Sequence, residues 1–207
     1  MGHRDPPEGT DSQQIEASLL QPHAFAALFH RHAGSVHRYL VKRVGPQDAE
    51  DLVGETFATA FRSRTSYDLS RPDARPWLFG IATNLAHHYW RSEGRRKTRD
   101  SATARGAIAE DLSEEATSTA FFSSQEELIA QALARLDDAH LDVLLLVAGP
   151  GLTYEEVSLA LGIPVGTVRS RLFRARHQLR ELLGGSRQYL EGEPLTERAS
   201  IATEGTQ

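Results

Sequence analysis

Cysteine is absent from all 207 residues, which excludes a disulfide framework, a thiolate nucleophile and a cysteine-bound zinc site. The absence fits a reducing compartment, and the cytoplasm is the expected location. Apolar runs are short, and none approaches the roughly 18 residues that a membrane span needs, so no membrane association is expected. Met1 to Gln14 is polar and lacks the hydrophobic stretch of a secretion signal. No segment keeps up the period-two alternation of a half-buried strand. Catalytic pairings are missing as well: no nucleophile is matched with a base, and no metal-ligand spacing occurs. The adjacent His87 and His88 point to different helix faces and have no matching carboxylate motif, so neither a metal nor another cofactor is expected, and the chain is not expected to be an enzyme.

What is present is charge, laid out unevenly. The formal net charge is −5, yet two stretches are strongly basic. Between Arg75 and Arg105, seven basic residues (Arg75, Arg91, Arg95, Arg96, Lys97, Arg99, Arg105) face only Glu93 and Asp100. From Pro164 to Arg187, six arginines face only Glu181. Gly106 to Leu128 carries six acidic residues and neither lysine nor arginine. Two cationic patches separated by acidic chain steer polyanions to two places; either patch alone is also compatible with arginines solvated on helix faces.

Apolar spacing predicts helices throughout. Phe25, Leu28, Phe29, Val36, Leu40 and Val44 form one stripe, ended by Gly45-Pro46. Asp48 opens a second helix, with Leu52, Val53, Thr56, Phe57, Ala60 and Phe61 inward. After a polar loop, Ser63 to Ala74, a third helix starts near Arg75 with Trp77, Leu78, Ile81, Ala82, Leu85 and Tyr89 inward. Residues 99–124 are rich in Ser, Thr, Ala and acid, a composition unable to bury enough surface to offset ordering entropy, and are expected to be a flexible acidic linker. A second domain follows, with stripes at Leu128, Ile129, Ala132, Leu133, Leu136 and at Leu141, Leu144, Leu145, Ala148 before the stop at Gly149-Pro150-Gly151. The expected fold class is all-α: a helical domain at 22–98, the linker at 99–124 and a second helical domain at 125–184. Segments 1–21 and 185–207 are expected to be disordered.

Thr153 to Arg176 carries the strongest signal. Thr153 and Glu156 have the spacing of a capping box. Gly162 supplies the positive-φ turn that two steeply crossing helices need, and Pro164 pre-sets the next helix start. Val165, Val168, Leu172, Ala175 and Leu179 then bury one side, leaving Gly166, Thr167, Arg169, Ser170, Arg171 and Arg174 for the others. Small residues near the helix start allow close approach to DNA, and a guanidinium bridges guanine acceptors or clamps phosphate. The segment therefore reads as a DNA-binding helix-turn-helix; an ordinary helical hairpin with solvated arginines is the plainer alternative.

The stretch L-T-Y-E-E-V-S-L-A-L-G-I-P-V-G-T-V-R-S-R-L-F-R-A-R-H-Q-L-R resembles the fourth conserved region of sigma-70-family factors, particularly the extracytoplasmic-function (ECF) group. D-A-E-D-L-V-G-E-T-F-A-T-A-F-R (Asp48 to Arg62) and R-P-W-L-F-G-I-A-T-N-L-A-H-H-Y-W-R (Arg75 to Arg91) are similar to the second conserved region of that family. The resemblance implies an alternative sigma factor with no active site of its own. It implies −35 recognition by Thr153, Tyr154, Gly166, Thr167, Arg169, Ser170, Arg171 and Arg174. For the −10 element it implies Tyr67, Asp68, Arg71, Asn84, His88, Arg91, Arg95 and Arg96, with Lys97 beside them, where polar groups read an unstacked base and cations hold the backbone. Asp48, Asp51, Leu52 and Glu55 would grip the β′ clamp helices of core RNA polymerase. The implied partners are core polymerase (β′ clamp helices and β flap), promoter DNA and an anti-sigma factor. A stand-alone helix-turn-helix regulator, such as a response-regulator output domain, is the alternative. It would require a βα-alternating receiver with clustered aspartates, which residues 22–98 do not display.

Overall fold

The computed structural model describes residues 9–100 and 128–183, with side chains as far as Ser92 in the first stretch. All its regular elements are helical. The first domain comprises α1 (Asp11–Leu20), α2 (Ala26–Val44), α3 (Pro46–Ser63) and α4 (Arg75–Asp100), with short 3-10 turns at Pro22–Phe25 and Arg64–Ser66. The second comprises α5 (residues 128–134), then α6 (Asp138–Ala148), α7 (Tyr154–Leu161) and α8 (Val165–Leu182). The expected all-α, two-domain architecture is what the structure shows. The expected linker and tail lie outside the described residues, apart from residues 99 and 100 at the end of α4.

The predicted stripes build the first core. Phe29 packs edge-on against Phe57, with ring centroids 5.0 Å apart, and Tyr39 against Phe79 at 5.5 Å. The Tyr39 and Thr83 hydroxyls share a buried hydrogen bond of 2.7 Å, and burial together with the charge of Asp142 pushes the Tyr39 phenol up. Gly45, at φ 93°, turns the chain between α2 and α3. The second helix starts at Pro46, two residues ahead of the predicted Asp48.

Segment 1–21 differs from expectation, because residues 11–20 form α1. Its start is a capping box between Thr10 and Gln13; Ile15 is fully buried in the core, and Asp11 supplies the polar ties to the rest of the domain. Only 4% exposed, the Asp11 carboxylate pairs with Arg31, with His32 Nε2 at 2.8 Å and with the Ala74 N–H at 2.9 Å. Burial pushes this carboxyl up, yet the hydrogen bonds from His32 and Ala74, together with Arg31, outweigh that and hold it at about 2.

In the second domain, Ala132 and Leu136 are buried, whereas Leu128 and Ile129 of the predicted stripe stand exposed. Every residue from Leu141 to Val147 is buried. A helix hidden all round is one enclosed on more than one side. On one side α6 packs on α8 of its own domain; on another it meets α2 of the first, while α7 packs along α4.

Candidate nucleic-acid and polymerase interface

The helix-turn-helix forms as its residues dictate. The Thr153 hydroxyl accepts the Glu156 N–H at 3.2 Å, and the Glu156 carboxylate accepts the Thr153 N–H at 2.7 Å. Gly162 ends α7 in the left-handed region, at φ 64° and ψ 33°, where an L side chain is strained. The Ser158 hydroxyl donates to the Ile163 carbonyl across the turn at 2.5 Å, and α8 begins after Pro164. Val168, Leu172, Ala175 and Leu179 are its buried residues.

Opposite this buried face, Gly166, Arg169, Ser170 and Arg174 are exposed, and Thr167 and Arg171 are half-buried. The Arg169 guanidinium lies 6.0 Å from the ring centroid of the half-buried Tyr154, which orients it. Arg176 and Arg180 extend the exposed cationic surface along α8. Thr153, which caps the start of α7, is exposed.

In the first domain the loop before α4 is held from within. Tyr67 is buried, and its hydroxyl donates towards the Arg71 and Asp73 carbonyls at 2.8 and 3.2 Å. Its ring packs on Trp77 with centroids 4.9 Å apart. Burial, reinforced by Asp11 and Asp73, pushes the Tyr67 phenol up to about 12. The loop's outer surface carries Asp68, Ser70 and Arg71, all exposed. Asp68 accepts from Ser70 and, at 2.9 Å, from Arg71 Nε; the Ser70 bond is the largest influence holding this carboxyl below its ordinary value. Tyr67 thus shapes the loop from inside while Asp68 and Arg71 face outward.

Asn84, His88 and Arg91 are exposed on α4 at spacings of four and three, so they share one face. Arg95 and Arg96 lie on the helical backbone of α4 beyond the described side chains. On α3, Asp51 and Glu55 are exposed, while Leu52 is half-buried against the core. Asp48 accepts the Tyr89 hydroxyl at 2.7 Å, which ties α3 to α4. His87 flanks that face, its Nε2 lying 2.7 Å from Asp142 Oδ2. That pairing, and the role of Asp142 in general, had no signal in helical spacing.

Fold and site together define a helical protein with two modules, one bearing a helix-turn-helix whose exposed side is cationic. Residues 28–96 match the family Sigma-70 region 2, and residues 132–181 match Sigma-70, region 4. The ECF RNA polymerase sigma-E factor of Haemophilus influenzae is 31% identical over 75% of this chain and 85% of that protein. RNA polymerase sigma factor CarQ of Myxococcus xanthus is 33% identical over 78% of this chain and 90% of its own. ECF sigma factor SigE of Mycolicibacterium smegmatis is 33% identical over 86% of this chain and 69% of that protein. Among solved structures, CnrH in complex with the cytosolic domain of CnrY superposes with a TM-score of 0.62 at 26% identity, covering 85% of this chain and 98% of CnrH. RpoE of Bartonella quintana, solved with the anti-sigma factor NepR, has the same fold at a TM-score of 0.63 and 23% identity, over 78% of this chain and 97% of RpoE. The chain belongs to the extracytoplasmic-function group of the sigma-70 family. With both regions on one chain, the stand-alone helix-turn-helix regulator is not favoured. Among the described residues no helix is long and apolar enough to cross a membrane.

Proposed function

We propose that this protein is an alternative sigma factor, which binds core RNA polymerase and directs promoter-specific initiation of transcription. The observation that carries this reading is one chain bearing both a helix-turn-helix with exposed arginines and a helical domain with an exposed acidic helix face. The acidic face of α3, with Asp51 and Glu55 at its centre and Asp48 and Leu52 behind them, is assigned to the β′ clamp helices. Region 4 would also meet the β flap.

Arg169, Ser170, Arg171 and Arg174 of α8, with Gly166, Thr167 and the Thr153–Tyr154 corner, are assigned to the −35 element. The loop at Asp68 and Arg71, shaped by Tyr67, and the Asn84–His88–Arg91 face are assigned to the −10 element, with Arg95 and Arg96 continuing along the strand backbone. Exposed polar groups beside cations suit an unstacked base on a single strand. The polymerase performs the chemistry, so the chain acts in the cytoplasm as a specificity subunit and not as an enzyme. Two structural neighbours were solved in complex with another protein, the cytosolic domain of CnrY and the anti-sigma factor NepR, which supports an anti-sigma factor for this chain too.

Pull-down with core polymerase followed by run-off transcription against a promoter library tests this. Specific DNA binding without polymerase association would return the chain to the stand-alone regulators.

A further inference from the structure

The loop that precedes α4 is tied down by a helix to which none of the binding roles above assigns a task. Residues 67–74 run from the Arg64–Ser66 turn to α4, and residues 68–72 are all exposed. Their backbone is nevertheless fixed at successive points. The Arg71 N–H donates to the Asp68 carbonyl at 3.0 Å, and Tyr67 takes the Arg71 and Asp73 carbonyls from inside the fold. The Pro72 carbonyl between them accepts the Asp11 N–H at 3.0 Å. Ala74 is fully buried, so its N–H needs a partner within the protein. The Asp11 carboxylate is that partner, at 2.9 Å.

Helix α1 reaches the other end of the loop as well. The Ser18 carbonyl accepts from Arg64 Nε at 3.4 Å, and the same guanidinium donates to the Phe61 carbonyl at 2.6 Å. Asp11 is itself braced by α2: His32 shares Oδ2 with the Ala74 N–H, while Arg31 takes Oδ1. Only a side chain with two acceptor oxygens serves all three groups. The Ala74 carbonyl accepts the Leu78 N–H at 2.9 Å, an opening bond of α4. Asn84 lies on that helix roughly 15 Å further along at 1.5 Å per residue, so a tilt at Ala74 would displace it.

We infer that Asp11 is a positioning residue for −10 recognition, through which α1 sets the loop bearing Asp68 and Arg71 against the helix bearing Asn84. This rests on the sigma-factor reading for its ligand, not for its geometry. Reading a base edge needs donors and acceptors held in place before the base arrives. A loop that must be ordered on binding spends interaction energy on that ordering, and a loose one adapts to the wrong base.

The test uses the full chain with core polymerase and a library of promoter fragments randomised in both elements, read by run-off transcription and sequencing. Base preference is a ratio among templates, so the amount of folded protein cancels from it. Asp11→Ala should lower the preference at the selected −10 positions roughly tenfold, the cost of ordering one or two side chains on binding, and leave the −35 preference unchanged. Val36→Ala is the control: it truncates a fully buried residue of the same domain whose apolar side chain takes no part in these hydrogen bonds. It should keep both preferences. An undiminished −10 preference in Asp11→Ala overturns the inference. So does an equal loss in Val36→Ala, or an equal loss at both elements.

Should Asp11→Ala not fold, Asp11→Asn replaces it, with one acceptor oxygen instead of two and the same expected direction. Amide hydrogen exchange on the unaltered chain needs no variant: the Ala74 N–H should be protected as well as that of Leu78, and fast exchange overturns the inference. Unaltered protein that shows no preference at either element sinks the sigma-factor reading. Preference that is present but indifferent to Asp11 sinks the positioning role alone.

Discussion

The carboxylate of Asp11 accepts the backbone N–H of Ala74 at 2.9 Å, joining the first helix to the residue that precedes α4. The Asp11 N–H in turn donates to the Pro72 carbonyl at 3.0 Å. The loop assigned to the −10 element is thus held at its far end by a residue 63 positions away.

Because the Asp11 carboxyl is held at about 2 against an ordinary 3.8, its stabilisation is complete above the unfolded value and is lost as pH falls through the folded one. Asp11→Asn should therefore cost roughly 2 kcal/mol at neutral pH and flatten the loss of stability between about pH 4 and pH 2. Urea unfolding of both proteins across that range is the check, and parallel pH profiles would count against it.

Arg171→Ala should weaken binding to the −35 element by roughly 1–3 kcal/mol if the guanidinium touches a base. Arg176→Ala should weaken all duplexes about equally if its exposed guanidinium holds phosphate, and a loss confined to the cognate duplex would contradict this. Titration of cognate and scrambled duplexes at two salt concentrations distinguishes the two effects.

The double substitution Asp51→Lys and Glu55→Lys should abolish holoenzyme assembly. Both side chains are exposed, so helicity and melting temperature should hardly change. Gel filtration with core polymerase and circular dichroism give the two readouts, and normal assembly would move the polymerase surface elsewhere.

Gly162→Ala should cost roughly 1–2 kcal/mol, the strain of a left-handed backbone on an L side chain. No atom lies within 4 Å of the new Cβ, so the loss is conformational and not steric. Thermal melting of the full chain would show it, and an unchanged midpoint would mean that the turn relaxes.

Local signals were legible in the sequence. The capping box at Thr153 and Glu156, the positive-φ turn at Gly162 and the buried series Val168, Leu172, Ala175 and Leu179 follow from spacing alone. Contacts between distant residues were not. Helix α1 shows no apolar stripe and seats one residue, Ile15, fully in the core, while Asp11 ties it down through partners 20 to 63 positions away. The composition of α6 predicted a single inward stripe, but a second domain covers its other side and buries Asp142. Tyr67 was expected among the outward groups of its loop; its spacing could not reveal that two carbonyls, those of Arg71 and Asp73, would draw its hydroxyl inward.

The most direct measurement is start-site mapping of transcripts made by core polymerase with and without the purified protein on a promoter library. The account predicts new start sites that appear only with the protein and share two short upstream elements about 25 base pairs apart, roughly 85 Å of duplex. An unchanged set of start sites, with the protein bound or unbound, would contradict it.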